Sequence, residues 1–144
     1  MQFNFPISNQ EILLNCIPQR APIVMVDSLI SYNENEVCAG LKVLTTNLFS
    51  KEGMLQEPGL IEHMAQTVAL HTGFSYFINK EAAPTGYIGS IANLKINSLP
   101  KVNEVIETKA TILHEFAGVT LVEIVSKVND EIIAFGQMKT VIAK

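Results

Sequence analysis

The last third of this chain is a succession of four strand-like segments, and this pattern restricts the fold more than any other feature. The segments cover residues 86–96, 102–114, 119–128 and 131–142, with short turn-like breaks between them. Within the second segment, Ala110 and Ile112 alternate with Lys109 and Thr111. A period of two with one apolar face is typical of an antiparallel sheet that covers a core on one side. The sequence therefore predicts four consecutive antiparallel strands.

Shorter elements are predicted in the first third of the chain. Ser8 and Glu11 have the spacing of a capping box, which predicts a short helix beginning near Asn9. Pro18 is expected to end that helix. Residues 23–31 and 37–44 are apolar and β-branched and flank a polar turn, so we predict a hairpin there. Residues 45–56 are predicted to form a loop.

One long helix is predicted over residues 60–78. Its apolar residues Ile61, Met64, Ala65 and Val68 recur at helical spacing. Polar residues are few in this segment, so most of the helix should be buried. Gly73 is expected to weaken it midway, because glycine has high conformational freedom.

Packing considerations then define the fold class. Sequential antiparallel strands that follow one long apolar helix are best packed by curling the sheet over the helix. We therefore expect an α+β fold in a single domain over residues 1–144, a length that suits one core. One edge of such a sheet would stay unpaired, and pairing it across a two-fold axis is a common solution. The default expectation is a homodimer or a higher homo-oligomer.

Composition and charge argue against two kinds of partner. The 144 residues carry a formal net charge of −4, and the ten lysine and arginine residues are scattered. Nucleic acid binding needs a dense basic patch, so we expect no nucleic acid partner. The mainly apolar run at residues 64–78 is interrupted by Gln66, His71 and Ser75 and is too short to span a bilayer. We therefore expect no membrane span.

The cysteines and the N-terminus indicate a cellular location. Cys16 and Cys38 lack metal-ligand spacing and are typical of small buried residues in a reducing compartment. No basic segment precedes an apolar run at the N-terminus, so no signal peptide is expected. We predict a cytoplasmic protein. Glycine-rich phosphate and dinucleotide fingerprints are absent from the sequence, so we expect no cofactor. His63 and His71 are eight residues apart on the predicted helix, too far to share a metal ion, so we expect no metal.

Residues 58–66 contain the side chains best suited to chemistry. Pro58 and Gly59 lie at the predicted helix start, where free backbone N–H groups and the helix dipole favour an acyl carbonyl oxygen. We predict both as substrate-binding residues. Glu62 lies one turn inside a mostly apolar helix, where a carboxylate rarely occurs without a partner. It is the predicted catalytic carboxylate, and the alternative is a partly exposed first-turn residue that favours the helix dipole.

Gln66 and His63 are the remaining candidates. Gln66 lies one turn after Glu62 on the same face, where it could bind Glu62 or a substrate amide, or serve as a structural interface residue. His63 points about 100° away from Glu62 around the helix, so the two side chains could serve two different sites in a dimer. We predict His63 as a second catalytic residue, with a non-catalytic role as the alternative.

Three motifs resemble, in their order, those of 3-hydroxyacyl-[acyl carrier protein] dehydratases. Residues 17–27, IPQRAPIVMVD, are similar to the family's opening Leu-Pro-His-Arg-x-Pro motif. Residues 58–66, PGLIEHMAQ, resemble its Pro-Gly…Glu-x-Met-Ala-Gln helix, and residues 89–93, GSIAN, resemble its third-strand motif. The spacing from Pro-Gly to the glutamate is two residues shorter here than in the family. This helix start is more similar to that of a divergent branch associated with aryl-polyene and flexirubin-type pigment pathways.

The resemblance implies a hotdog fold, in which an antiparallel sheet wraps around a long helix. It implies dehydration of a 3-hydroxyacyl thioester of acyl carrier protein or coenzyme A to the 2-enoyl thioester. It assigns Glu62 as the catalytic carboxylate, Gly59 as the backbone donor to the thioester carbonyl and Gln66 as a support of the helix. In the family, a histidine of the other chain removes the α-proton, and the acyl chain lies in a tunnel at the dimer interface.

The family's catalytic histidine has no counterpart at its usual position. It belongs to a His-Phe-Pro-Gly stretch before the helix, whereas residues 49–54 of this chain read FSKEGM. Either His63 supplies the missing function, or the chemistry differs, or the subunit is inactive. The alternative functions are therefore a hotdog acyl thioesterase and a non-catalytic acyl-binding subunit, paired in a hetero-oligomer with an active homologue.

Overall fold

The computed structural model describes residues 3–143, which form one six-stranded antiparallel sheet, one two-stranded sheet and two helices. The helices are α1 (Gln10–Cys16) and α2 (Glu57–Ile78). The strands are β1 (Ser28–Tyr32), β2 (Glu36–Lys42), β3 (Ser50–Lys51), β4 (Met54–Leu55), β5 (Gly86–Ile96), β6 (Val105–Phe116), β7 (Val119–Val128) and β8 (Glu131–Ile142).

The large sheet has the strand order β1-β2-β6-β7-β8-β5, and every neighbouring pair in it is antiparallel. Helix α2 packs against strands β2, β5, β6 and β7, so it crosses one face of the sheet. The core fills the space between them, and its fully buried residues include Leu60, Met64 and Leu70 of α2 and Ile106 and Ile124 of the sheet. The predicted α+β fold, with an antiparallel sheet around a long helix, is confirmed.

The strands of the last third follow the predicted pattern closely. Strands β5, β7 and β8 have the predicted bounds. Two-residue turns join β6 to β7 and β7 to β8, and their residues Ala117, Gly118, Asn129 and Asp130 all have positive φ. Positive φ at both central residues is what tight hairpins between twisted strands require. The ladder of β6 starts only at Val105, three residues later than predicted, because residues 101–104 close a turn instead.

The first half of the predicted strand 23–31 is wrong. The strand begins only at Ser28, and the peptide of Met25 bonds to two side chains of α2 instead of to a neighbouring strand. Gln66 Oε1 accepts the Met25 N–H at 2.7 Å, and a ring nitrogen of His63 lies 2.7 Å from the Met25 carbonyl oxygen. Because helix side chains satisfy these backbone groups, residues 23–25 run over α2. The backbone reaches the sheet at Asp27, whose N–H donates to the Gly40 carbonyl of β2 at 2.9 Å.

The region before α2 also differs from its prediction. The predicted loop 45–56 contains the short hairpin β3–β4. Helix α2 begins at Glu57, three residues earlier than expected, with Gln56 as its N-cap. Pro58 is tolerated there because the first-turn N–H groups of a helix have no intrahelical partner. The short helix α1 agrees with its prediction, since Asn9 caps it by accepting the Ile12 N–H at 3.1 Å.

Gly73 has a packing role that its propensity alone did not indicate. A Cβ atom at this position would overlap the backbone carbonyl of Cys16 at the end of α1. The glycine therefore lets the C-terminus of α1 rest directly on α2. Phe74, the next residue, is buried and makes edge-on contacts with the rings of Phe3, Phe5 and Tyr32.

Strand β5 is an exposed edge of the large sheet. It pairs only with β8, and its side chains are mostly exposed, including Tyr87, Ile88 and Ile91. Tyr87 is 62% exposed. The opposite edge is shorter, and Ile7 partly covers it through two 2.8 Å backbone hydrogen bonds with Leu29. This eleven-residue strand with exposed apolar side chains is the unpaired edge that we predicted for the sheet.

Candidate active site

A cleft of about 260 Å³ lies between helix α2 and the strands β5 and β8. Its walls include Glu62, Ala65 and Ala69 of α2, Gln19 from the segment after α1, and Tyr87 and Ile88 of β5. The cleft is thus bounded partly by the open edge strand, where a second subunit would add its own sheet. A mostly apolar cleft with few polar groups is the usual form of a small-molecule site.

Glu62 provides the carboxyl group of this cleft. It is half-buried on α2, and its Oε1 accepts a 3.0 Å hydrogen bond from Gln66 Nε2. Among residues 3–143, neither a lysine nor an arginine forms a salt bridge with it. A carboxyl group positioned in this way can exchange a proton with a ligand in the cleft.

Gln66 is fully buried and uses both ends of its amide. Its Oε1 accepts the Met25 N–H at 2.7 Å, while Nε2 donates to the Ile23 carbonyl at 2.9 Å and to Glu62. These three contacts fix the amide orientation, so the group that Gln66 presents to Glu62 is a donor. Of the three alternatives for Gln66, this geometry favours the one in which it binds Glu62, and a contact with a substrate amide stays a prediction.

His63 lies outside the cleft, in the core beneath the sheet. It is fully buried, with Nδ1 at 2.7 Å from the Met25 carbonyl oxygen and Nε2 at 2.8 Å from Thr108 Oγ1. Thr108 Oγ1 is in turn 2.7 Å from Ser126 Oγ. The structure therefore does not bring His63 and Glu62 together, as expected from their positions around the helix.

The hydrogen bonds of His63 define its tautomer. A carbonyl oxygen only accepts, so Nδ1 carries the proton and donates to Met25. Nε2 then accepts from the Thr108 hydroxyl, and Thr108 accepts from Ser126. Burial lowers the pKa of His63 from 6.5 to about 4, and the bond to the Met25 carbonyl opposes this only in part. A neutral ring with both nitrogens occupied favours a structural role, while the predicted catalytic role remains a prediction.

The residues at the helix start lie away from the cleft. Pro58 is exposed, and Gly59 is buried with its N–H donating to the Gln56 carbonyl at 3.0 Å. A Cβ atom at Gly59 would come within 2.6 Å of Leu55 Cδ1 and 2.8 Å of Phe49 Cβ. Packing of the β3–β4 hairpin on α2 thus explains the glycine, and neither residue lines the Glu62 cleft. Their predicted substrate contacts stay predictions.

Sequence reasoning gave no role to Gln19, which lines the same cleft as Glu62. Its Oε1 is buried and has no hydrogen-bond partner within residues 3–143. The only signal in the sequence was its place in the Pro-Gln-Arg segment, where the similar family motif has histidine. A polar residue between a helix and a strand otherwise looks like an ordinary loop residue.

A second cavity of about 480 Å³ adjoins the cleft and shares Pro18 and Pro84 with it. Its walls are partly apolar, with Phe77 on one side, and they also include the cations Arg20 and Lys80. In the part of the chain that the structure describes, His, Cys, Asp and Glu side chains form no group of three that could hold a metal ion. The described helices include none long and apolar enough to cross a membrane.

Comparison with known proteins identifies relatives of this chain. The model of the ApeP-like family, whose description is ApeP dehydratase, matches residues 13–141. A search of curated proteins finds no match. Among solved structures, the dehydratase heterocomplex ApeI:P from Xenorhabdus doucetiae is similar, with a TM-score of 0.85 and 18% identity. The match covers 99% of this chain and 93% of that one.

Two further structures show the same fold at lower similarity. Cj0977, a sigma28-regulated virulence protein from Campylobacter jejuni, matches with a TM-score of 0.71 and 14% identity over 96% of this chain and 90% of its own. A hypothetical thioesterase with coenzyme A from Streptococcus pneumoniae TIGR4 matches with a TM-score of 0.60 and 10% identity over 80% and 84%. Together with the sheet order, these similarities confirm the hotdog fold.

Proposed function

Because this chain belongs to the ApeP-like dehydratase family, we propose that it takes part in converting a 3-hydroxyacyl thioester into the 2-enoyl thioester. In this reaction the α-proton and the 3-hydroxyl group leave together as water. Glu62 would donate the proton that turns the hydroxyl into a leaving water molecule. The observation that carries this proposal is the position of the Glu62 carboxyl group in the cleft, held by Gln66.

The base that removes the α-proton is proposed to come from a second subunit. His63 faces the core with both ring nitrogens bonded, and His71 and His114 do not line the Glu62 cleft. The cleft borders β5, so a subunit paired with this edge would place its own residues beside Glu62. The X. doucetiae structure is a dehydratase heterocomplex, which supports a partner subunit for this chain. The histidine of that partner is our proposal.

The substrate carrier is proposed to be acyl carrier protein, with coenzyme A as the alternative. Both carriers attach the acyl group to an arm that bears phosphate. Arg20 and Lys80 line the cavity next to the Glu62 cleft together with the carboxylate of Glu81, and the net positive charge of these three side chains attracts such an anion. A cytoplasmic location fits this role and the free thiols of Cys16 and Cys38.

The experiment that tests this function follows two products at once. The purified protein, alone and with a co-expressed homologous subunit, is given a 3-hydroxyacyl thioester of acyl carrier protein. We expect 2-enoyl thioester to form without free thiol, and native mass spectrometry to show the active assembly as a hetero-oligomer. Turnover by the isolated chain as a homodimer would contradict the partner histidine, and failure of both preparations to dehydrate would contradict the function.

An acyl thioesterase is the second candidate. A carboxylate on the helix can activate water or attack a thioester without a histidine, and the Glu62 cleft contains a carboxylate but no histidine among its described residues. Release of free thiol from the same substrate, without enoyl product, would favour this candidate over the dehydratase.

A further inference from the structure

The buried amide oxygen of Gln19 is the one buried side-chain polar atom in residues 3–143 that is not a partner in any hydrogen bond. Nearly all buried polar groups in proteins are hydrogen-bonded, because leaving one unpaired costs most of its desolvation energy. By contrast, the side-chain amide of Gln66, which donates to Glu62, has three hydrogen-bond partners. The unpaired acceptor of Gln19 therefore indicates that a ligand with a hydrogen-bond donor binds next to it.

The backbone at Gln19 is held in place by hydrogen bonds from the next residue. Arg20 Nη1 donates to the backbone carbonyls of Ile17 at 2.8 Å and of Gln19 itself at 2.7 Å. Pro18 restricts the backbone immediately before it. Gln19 thus lies on a restrained loop and is one of the residues that line the cleft containing Glu62. Its Oε1 has almost no solvent-exposed surface in the isolated chain, so the side chain must turn toward the cleft to reach a ligand.

We propose that Gln19 is a substrate-binding residue whose Oε1 accepts a hydrogen bond from a donor group of the acyl thioester bound beside Glu62. This inference rests on the proposed function for the identity of the ligand. Gln19 would give the site a hydrogen-bond acceptor for the ligand in addition to the carboxylate of Glu62.

The chemistry of the ligand narrows the donor to two groups. The carbonyl oxygen and sulfur of a thioester only accept hydrogen bonds, so neither can pair with Oε1. Close to the reacting carbon, the donors are the 3-hydroxyl group and the nearest amide N–H of the carrier arm; the arm's own hydroxyl lies farther from the thioester. With the hydroxyl as donor, the contact is lost when water leaves, so Gln19 would favour the hydroxylated substrate over the enoyl product.

The test measures binding by isothermal titration calorimetry to the protein in its native assembly. The first ligand is a 3-hydroxy-2,2-dimethylacyl thioester of N-acetylcysteamine, which has no α-proton and cannot be dehydrated. The second lacks the 3-hydroxyl, and the third carries a methyl group on the amide nitrogen. Gln19→Met removes the acceptor at similar volume, Gln19→Glu retains an acceptor, and Gln10→Met makes the same change on an exposed residue.

We expect Gln19→Met to weaken binding of the first ligand roughly ten- to hundredfold, the usual effect of losing a buried hydrogen bond. Gln19→Glu and Gln10→Met should bind it nearly as well as the wild type. The loss should vanish for the second ligand if the hydroxyl is the donor, or for the third if the amide is. An unchanged affinity in Gln19→Met, or an equal loss for all three ligands, would overturn the assignment.

The outcome is separable from that of the proposed function. Binding that depends on Gln19, in a protein that does not dehydrate the reactive substrate, would remove the proposed reaction and leave the ligand contact. Dehydration of the reactive substrate, with ligand binding that does not depend on Gln19, would support the proposed reaction and remove the Gln19 contact. A wild-type protein that binds none of the three thioesters would contradict both.

Discussion

Gln66 joins the carboxylate of Glu62 to the backbone of Met25. The amide nitrogen donates to Glu62 Oε1 at 3.0 Å, and the amide oxygen accepts the Met25 N–H at 2.7 Å. The carbonyl oxygen of the same residue lies 2.7 Å from a ring nitrogen of His63, one turn earlier on α2. The backbone of Met25 therefore connects the core side of α2 with the side that lines the cleft.

Replacing Gln66 with methionine should destabilise the fold. Gln66→Met leaves the buried Met25 N–H and the partly buried Ile23 carbonyl without these partners, at about 1 to 3 kcal/mol for a fully buried group. The free energy of unfolding should fall accordingly in urea titrations. Gln10→Met, at an exposed position, is the control and should unfold like the wild type. An equally stable Gln66→Met variant would show that these bonds contribute little.

His63 should make the protein less stable in mild acid. In the folded chain it titrates at about 4, whereas in the unfolded chain it titrates near 6.5. Between these values the unfolded state binds more protons, so the free energy of unfolding falls as pH drops through this window and levels off below it. The shift corresponds to about 3 kcal/mol as an order of magnitude.

The check compares urea unfolding of the wild type and His63→Gln at pH 7 and pH 4. Carboxylates titrate in both proteins, so only the excess loss in the wild type belongs to His63. The stability advantage of the wild type over the variant should therefore shrink on acidification. An advantage that stays constant with pH would mean that the ring is not buried in its neutral form.

Gly73 should tolerate no side chain. In Gly73→Ala the new methyl group would collide with the Cys16 backbone and push α1 off α2, a loss of about 1 to 3 kcal/mol or more. Gly86→Ala is a matched control, because its nearest neighbour would be a Val141 carbonyl oxygen at an ordinary 3.8 Å. Thermal unfolding should show a lower midpoint for Gly73→Ala alone, and equal midpoints would contradict the close helix contact.

The sequence predicted the parts of the fold that local patterns determine. Strand-like segments between turn-like breaks marked β5, β7 and β8, and helical spacing marked α2 and placed Glu62 on it. The course of residues 23–25 was not predictable in this way, because Ile23 and Met25 bond to side chains of α2, about forty positions later. His63 was ambiguous for a related reason, since its partners Met25 and Thr108 are distant in the chain.

The open edge of the sheet should control assembly. Ile91→Lys places a charge on β5, and burying an unpaired charge in an interface is costly, so subunit association should weaken. Leu113→Lys makes the same change on the interior strand β6, at a residue of similar exposure, and should leave assembly unchanged. Native mass spectrometry of the two variants measures which of them still forms the assembly. Loss of assembly in Leu113→Lys alone would place the interface on another face.

The most direct test of the central claim is the rate of dehydration by Glu62→Gln in the native assembly. The amide keeps the size and one hydrogen-bond acceptor but cannot donate a carboxyl proton to the departing hydroxyl. Glu57→Gln, in the exposed first turn of the same helix, is the control. We predict that kcat falls at least a hundredfold in Glu62→Gln, the usual scale of general acid catalysis, and is unchanged in Glu57→Gln. A Glu62→Gln assembly that dehydrates at the wild-type rate would contradict the claim that Glu62 is the catalytic carboxylate.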